Sequence, residues 1–457
     1  MKRSLILLAM LMAVKGYSGN KIKYYFTQPV NNSVSRGENA IYLNDKMGDT
    51  IVAYINRAKY TLDIAVYNYT SSFPAIAVAV NNAYTRGVQV RWIYDSSSSN
   101  TGIPLLNGNI KRMASPPDAG DHSIMHNKFM IIDANSSDPN DAILWTGSTN
   151  WNTQQFNTDH NNAVAIQDKP LALAYKAHFE MMWGSTGATP NRSAAKFGQY
   201  KTDLGAHHFT VEGKHIEVYF SPADNTNDHI LSAMGSAHTD MYFGMSTFTY
   251  STDANMLATS SSSDVYVAGI SDAGNVSYAP HSILSSALGS GKYKVYSGSG
   301  LFHHKYLIVD PSNTCSDPLV LTGSHNWTVS ADTRNDENTI IIHDATAANV
   351  FYQSFHASFT ALGGSLPVIP DCGVGIDDIS GNEGDVLIYP TPSDGDITIK
   401  VTNIAGMQIQ VFDMNGMLVQ STAAVVPGTD LHIGTPGIYT IRCISKDRVV
   451  VKQAVIR

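Results

Sequence analysis

Hydrophobic and polar positions alternate along most of the chain with the rhythm of buried strands between helices. Residues 61–70 (TLDIAVYNYT) and 240–249 (DMYFGMSTFT) are apolar runs that end in an aromatic residue and a threonine. Residues 76–95 (IAVAVNNAYTRGVQVRWIYD) have helical spacing first and then a short apolar run. Strands that are apolar on both faces are typical of sheets covered by helices on both sides, so this pattern predicts an α/β layer fold.

The pattern changes near residue 381, where helical spacing stops and short strand-like runs alternate with turn residues. Residues 387–401 (LIYPTPSDGDITIKV) contain Pro390, Pro392 and Gly395, and later runs rich in Ile, Val and Thr are interrupted by Gly416 and Gly437. Regular strand spacing of this kind predicts a small C-terminal all-β sandwich over residues 385–457. Residues 366–384 are predicted to be a linker.

The α/β part contains the same series of segments twice. HNKFMIID (126–133) returns as HHKYLIVD (303–310), and WTGSTNW (145–151) returns as LTGSHNW (321–327). Upstream, IKYYFTQP (22–29) has a counterpart in IEVYFSP (216–222). This unit is much longer than a solenoid repeat, so we predict a duplicated domain with lobes at residues 21–190 and 206–365.

The first 18 residues have the order of a secretory signal peptide. Lys2 and Arg3 precede an apolar run from Leu5 to Val14, which is too short to span a bilayer, and small residues follow it. Export is therefore expected. The net charge of −8 weighs against non-specific binding of nucleic acid. Cys315, Cys372 and Cys443 leave open whether a disulfide forms.

Each repeated motif brings together groups suited to phosphodiester chemistry. Residues two apart on a strand share a face, so His126 projects with Lys128, and His303 with Lys305. Asp133 and Asp310 lie an odd number of residues away, which favours a structural role at the strand end. One imidazole can attack phosphorus while the other protonates the departing alcohol. The lysines and the Gly-Ser-x-Asn turns can hold the phosphate oxygens, so neither metal nor cofactor is expected. The predicted phosphate-binding residues of the turns are Ser148, Asn150, Ser324 and Asn326.

The duplicated motif set, over residues 21–365, resembles the signature of the phospholipase D superfamily. The resemblance implies two α/β lobes related by a pseudo-two-fold axis, with one shared active site and a catalytic signature of His126, Lys128, Asp133, His303, Lys305 and Asp310. It also implies an acidic residue that orients the imidazole in its own half. Glu337 fills that place in the second half, whereas the first half has Asn161 with Asp159 two residues earlier. We expect His126 to be the nucleophile and His303 the general acid, although exchanging them would leave the net reaction unchanged.

The segments YPTPSDGDITI, VFDMNGMLV, PGIYTIRC and VVVKQAVIR resemble the C-terminal sorting domain of type IX secretion substrates. That resemblance implies passage to the cell surface or medium through the type IX secretion machinery. The predicted function is a secreted, monomeric hydrolase that removes phospholipid head groups through a phosphohistidine, giving phosphatidic acid. The alternative is a secreted, metal-independent endonuclease of the same superfamily. A catalytically inactive binding protein is disfavoured because both His-Lys pairs and both turns are intact.

Overall fold

The computed structural model describes residues 20–117, 120–263, 265–313, 316–368, 386–390, 392–401, 408–413, 417–423, 428–444 and 449–457. The chain separates into two compact units, residues 1–371 and 372–457. The predicted signal peptide, Cys315, Cys372 and all of the predicted linker beyond residue 368 lie outside the described residues.

The first lobe of the large unit is a mixed sheet with helices on both faces. In chain order its elements are β1 (Ile22–Phe26), β2 (Ile41–Tyr42), α1 (Met47–Ile55), β3 (Thr61–Val66), α2 (Ala75–Thr85), β4 (Gln89–Tyr94), β5 (Lys111–Ala114), β6 (Lys128–Ile132), β7 (Ile143–Gly147), α3 (Thr153–Asn157), β8 (Asn162–Ile166) and α4 (Lys169–Trp183). The described strands form one sheet in the order β2-β1-β8-β7-β6-β3-β4-β5.

The second lobe repeats this arrangement. Its elements are β9 (His208–Val211), β10 (Lys214–Tyr219), α5 (Thr226–Gly235), β11 (Asp240–Met245), α6 (Ser251–Ser262), β12 (Tyr266–Asp272), α7 (Ala279–Lys292), β13 (Tyr293–Tyr296), β14 (Lys305–Val309), β15 (Leu319–Gly323), α8 (Val329–Thr333), β16 (Thr339–His343) and α9 (Ala345–Ala361). Its described strands follow the order β9-β10-β16-β15-β14-β11-β12-β13. Strand for strand this matches the first lobe, except that the edge strand β9 is antiparallel to its neighbour whereas β2 is parallel to β1. The predicted duplication is confirmed.

The central strands are buried along their whole length, which explains their continuous apolar sequences. β6 (KFMII), β7, β14 (KYLIV) and β15 have no exposed residue. One hydrophobic core contains residues of both sheets together with α4 and α9, while separate clusters cover the outer face of each lobe. Equivalent aspartates begin the two central helices: Asp168 accepts a hydrogen bond from the backbone N–H of Leu171, and Asp344 from that of Ala347. The two lobes therefore share one interior.

The described residues of the C-terminal unit form strands and no helix, as predicted. Its strands are β17 (Val386–Tyr389), β18 (Asp396–Val401), β19 (Gln408–Phe412), β20 (Leu418–Ala423), β21 (Gly428–His432), β22 (Gly437–Ile444) and β23 (Val449–Ile456). Within the described residues they form the sheets β17-β18-β21 and β20-β19-β22-β23, which enclose a small apolar cluster. Cys443 lies in that cluster as a free thiol. Among all described residues, no helix combines the length and apolarity needed to cross a membrane.

Candidate active site

The two histidines lie just before the central strands of the two sheets. β6 begins at Lys128 and β14 at Lys305, so His126 and His303 each stand two residues ahead of a buried strand. The backbone N–H of His126 donates to the carbonyl of Asp336, at 2.9 Å. On the other side of the interface, His160 N–H donates to the carbonyl of Leu301, at 2.8 Å. Each histidine segment is therefore fastened to the opposite lobe.

Asp133 and Asp310 hold turns at the far ends of these strands. Asp133 accepts the backbone N–H groups of residues 59–61 at 2.7–2.8 Å. Asp310 accepts those of residues 238–240 at 2.8–3.2 Å. Both aspartates have positive φ, 51° and 48°, and both are buried. This corrects their inclusion in the catalytic signature and agrees with the structural role that strand alternation predicted.

The lysine side chains bend back toward the histidine segments. Lys128 Nζ donates to the carbonyl oxygen of His126 at 2.6 Å, and Lys305 Nζ to that of His303 at 2.8 Å. Each ammonium group is almost fully buried. Because burial disfavours its charged form, the pKa of Lys128 is lowered to about 7, although Glu337 and Asp95 oppose this. Burial and the charge of Lys128 also lower the pKa of Lys305 well below its ordinary value. An anion bound beside both lysines would favour their charged forms, because a nearby negative charge raises the pKa of an amine.

The Gly-Ser-x-Asn turns depend on glycines that bring two backbones together. Gly147 and Gly323 have φ of 148° and 147°, and a Cβ would lie 2.4 Å and 2.2 Å from the carbonyl oxygens of Asn162 and Asn338. No other residue fits such an approach.

The serines of these turns hydrogen-bond to the segments that follow them, and their role in binding phosphate stays a prediction. Ser148 Oγ donates to Asn161 Oδ1 at 2.8 Å and accepts from the N–H of Asn162 at 3.1 Å. Ser324 Oγ accepts from the N–H of Asn338 at 3.0 Å. Both serines are fully buried. Their hydroxyls therefore anchor the neighbouring strands β8 and β16 at the points where those strands begin.

Asn150 and Asn326 keep free hydrogen-bonding capacity. The Oδ1 atom of each is buried without a hydrogen-bond partner. A buried unpaired amide oxygen is costly in a finished fold, and such groups concentrate at functional sites. The two asparagines thus remain candidates for contacting a ligand.

The two lobes exchange the residues that orient their imidazoles. Glu337 of the second lobe accepts a hydrogen bond from His126 Nδ1 of the first, at 2.9 Å to Oε2. The expectation that the acidic residue serves the imidazole of its own half was therefore wrong. Because the carboxylate accepts from Nδ1, the Nε2 atom of His126 is left with its lone pair. Burial tends to raise the pKa of Glu337, but His126 and Lys128 lower it more, to about 2.

His303 is held by Asn161 of the first lobe, with 2.9 Å between His303 Nδ1 and Asn161 Oδ1. The amide orientation is fixed because Asn161 Nδ2 donates to the carbonyl of Gln155 at 3.0 Å. Asp159, which we predicted as an alternative partner, instead accepts from Gln155 Nε2 and from the N–H of Leu301. With a neutral partner, burial and the charges of the two lysines lower the pKa of His303 well below its ordinary value.

A further ring of polar residues, which sequence reasoning missed, links the lobes beneath the histidines. Asn338 Nδ2 donates to Asn127 Oδ1 at 3.0 Å, and its Oδ1 accepts from Thr146 at 2.6 Å. The equivalent Asn162 contacts His304 at 3.1 Å and accepts from Thr322 at 2.8 Å. The signal was present in the repeat, since Asn-Asn at 161–162 and Glu-Asn at 337–338 follow the two turns at equal distance.

Comparisons with known proteins agree with this geometry. Residues 51–183 and 230–359, more than half of the chain, match the family model described as cardiolipin synthase, PLD-like domain. Residues 387–457 match the secretion system C-terminal sorting domain.

Individual relatives agree with these matches. Mitochondrial cardiolipin hydrolase from Drosophila melanogaster is 30% identical over 155 residues, and that from Xenopus tropicalis 29% over 142 residues, each match covering 30% of this chain. The chain spans 59% and 62% of their lengths. Phosphatidylserine synthase from Haemophilus influenzae shares the fold, with TM-score 0.52 and 12% identity over 74% of this chain and 85% of that one.

Proposed function

Because the chain belongs to the PLD-like family and ends in a secretion sorting domain, we propose that it is an exported phosphodiesterase. Its substrates are phospholipids, whose head groups it removes by hydrolysis to give phosphatidic acid. The observation that carries this proposal is the pair of buried His-Lys motifs, in which each imidazole is held at Nδ1 by the opposite lobe. Two oriented imidazoles and two desolvated ammonium groups suit the transfer of an anionic phosphoryl group.

The reaction proceeds in two displacements. His126 Nε2 attacks phosphorus, the bond to the head-group oxygen breaks, and His303 gives its Nε2 proton to the departing alcohol. His303 then takes a proton from water, whose oxygen attacks the phosphohistidine and releases His126 with phosphatidic acid. Lys128 and Lys305, with the amides of Asn150 and Asn326, hold the non-bridging oxygens. The bound phosphate favours protonated His303, because a nearby anion raises the pKa of an imidazole.

The different partners of the histidines support this division of labour. Glu337 stabilises the positive charge that His126 acquires when its Nε2 bonds to phosphorus, so His126 is the better nucleophile. His303 faces the neutral amide of Asn161, so its imidazolium loses a proton readily and is the stronger acid. This assignment is tested by stopping the reaction during turnover without acid, digesting the protein, and locating the phosphorylated peptide by mass spectrometry. Phosphate on the peptide of His126 supports it, whereas phosphate on the peptide of His303 reverses the roles.

A lipid substrate is supported by apolar side chains beside the second motif. Leu301, two residues before His303, is 42% exposed, and Val329, three residues after Asn326, is 53% exposed. Asp272 accepts the N–H of Phe302 at 2.8 Å, which ties the following loop to the motif. On that loop Val276 and Tyr278 are 53% and 43% exposed. Exposed apolar groups close in sequence to the motif suit an interface with acyl chains.

The alternative substrate is nucleic acid. The segments MHNKFMIID and VRWIYDSSSSN resemble the branch that contains both small endonucleases and cardiolipin-hydrolysing members, so they are compatible with either substrate. The net charge of −8 disfavours nucleic acid.

The deciding experiment incubates the purified protein with mixed phospholipid vesicles and chelator and measures phosphatidic acid by mass spectrometry. The His303→Ala variant should abolish the product, whereas His238→Ala, at an exposed histidine outside the motifs, should not. If no lipid is cut, or if the variants form as much phosphatidic acid as the wild type, the same samples are given single-stranded DNA and RNA. Cleavage there that requires His303 would replace the lipid proposal with the nuclease.

Oligomeric state and export are part of the same proposal. Since one chain supplies both histidines, a monomer should be active, and activity confined to a dimer peak in size-exclusion chromatography would contradict this. The sorting domain implies contact with the type IX secretion machinery and delivery to the cell surface or medium.

A further inference from the structure

A group of histidines lies on the β9–β10 hairpin, at the edge of the second sheet. Pairing between these antiparallel strands places His208 opposite Glu217, and pairing of β10 with β16 places His215 opposite His343. His215 and Glu217 are two residues apart, and cross-strand partners share a face, so all four side chains project from the same side of the sheet.

Three of these side chains converge on one point. His208 Nδ1 and His215 Nε2 lie 3.1 Å apart, and their rings are stacked with 19° between the planes. Ligand atoms of His208, His215 and Glu217 all lie within 4.8 Å of one another. Two nitrogens bound to tetrahedral Zn²⁺ at 2.0–2.1 Å would be roughly 3.3 Å apart, close to the observed separation.

The carboxylate of Glu217 is already oriented by its neighbours. Glu217 Oε1 accepts from His343 Nε2 at 3.1 Å, and Oε2 accepts from the hydroxyl of Tyr219 at 2.6 Å. His343 is itself fixed, since its Nδ1 donates to Asp317 at 2.7 Å. Oriented outer partners of this kind are typical of metal ligands.

We propose that His208, His215 and Glu217 form a zinc site that fastens the edge strand β9 to β10. Two imidazoles and one carboxylate are a normal ligand set for Zn²⁺, and water completes the tetrahedron. Ca²⁺ and Mg²⁺ are disfavoured because they require mainly oxygen ligands. The two strands of the site, β10 and β9, lie three and four strands from β14, which carries Lys305, or roughly 14–19 Å at 4.8 Å per strand. The role of the site is therefore structural and separate from the phosphodiester chemistry.

Zinc binding is tested on the full chain after metal removal with chelator and dialysis. ZnCl₂ is titrated by calorimetry, and bound metal is counted after equilibrium dialysis. Wild type should take up one zinc that His208→Gln and His215→Gln lose, with affinity falling by more than about 100-fold. His343→Gln, which frees Glu217 but removes no ligand, should weaken binding by about 10–100-fold. The control His238→Gln changes an exposed histidine outside the cluster and should bind like wild type.

Zinc should also raise the unfolding temperature of wild type and of His238→Gln, but not that of the two ligand variants. Two results would overturn the proposal: no stoichiometric zinc on wild type, or zinc retained at the control level by both ligand variants. Because His208 and His215 are exposed, their substitution should not prevent folding. Zinc uptake is read without substrate, so loss of the phosphodiesterase proposal would leave this one standing.

Discussion

Replacing Asn161 with aspartate would give His303 the kind of partner that His126 has in Glu337. Asn161 Oδ1 lies 2.9 Å from His303 Nδ1, so the new carboxylate would sit directly against the imidazole. Opposite charges about 4 Å apart interact by ~4 kcal/mol at an effective dielectric constant of ~20. At 1.36 kcal/mol per pKa unit this corresponds to a rise of ~3 in the pKa of His303.

The new carboxylate must also be desolvated, and it would face the Gln155 oxygens that now accept from Asn161 Nδ2. A rise of about 1–3 in the pKa of His303 is therefore expected. Since the general acid must be protonated, its active form should persist to higher pH. The descending limb of the profile of kcat/KM against pH should move upward by the same amount.

The assay uses two soluble phosphodiesters, one with an alkyl alcohol as leaving group and one with p-nitrophenol. Departure of an alkoxide needs the proton of His303, whereas nitrophenolate leaves unaided. The limb should therefore move for the alkyl ester and stay in place for the nitrophenyl ester. As a matched change at the other histidine, Glu337→Gln should slow both esters. If the limb moves equally for both esters in Asn161→Asp, His303 is not the acid and the reasoning fails.

Three further predictions concern stability. Burial lowers the pKa of His160 from 6.5 to about 4, so this residue stabilises the fold above pH 6.5 and loses that contribution as the pH falls toward 4. In urea titrations at pH 7 and pH 4, the free energy of unfolding should fall by roughly 3 kcal/mol less in His160→Phe than in the wild type. Arg91 forms a buried bidentate pair with Asp63 at 2.6 and 2.7 Å, so Asp63→Ala should cost about 3–5 kcal/mol of unfolding free energy, and a cost below 1 kcal/mol would contradict the pairing. Asp133→Ala leaves three backbone N–H groups without their acceptor and should cost roughly 2–4 kcal/mol by chemical denaturation, whereas an unchanged midpoint would show that water replaces the carboxylate.

Much of this architecture could be predicted from local patterns. The continuous apolar runs of β6 and β14 indicated buried strands, and strand alternation indicated that Asp133 and Asp310 belong to the strand ends. The duplicated motif spacing indicated two equivalent lobes. These features depend on residues close together in the chain, where periodicity carries the information.

The exchange of imidazole partners could not be predicted in this way. Glu337 lies nearer in sequence to His303, but packing of the two lobes sets Asp336 against the His126 segment and so brings Glu337 to His126. The roles of Ser148 and Ser324 were missed for a related reason. Their hydroxyls anchor strands that begin about 14 residues later in the chain, and such contacts follow from sheet order, which spacing alone does not reveal.

The crossed partners have a consequence for the symmetry of the site. In a homodimer of identical single lobes, a two-fold axis would require both histidines to face the same residue, either glutamate twice or asparagine twice. Joining two lobes in one chain removes that requirement. Here Glu337 and Asn161 occupy equivalent places but differ in charge, so the covalent link allows the two imidazoles to specialise. Exchanging Glu337 and Asn161 would invert that specialisation without changing the fold. A strictly symmetric dimer could not be changed in this way, because both of its histidines would always have the same partner.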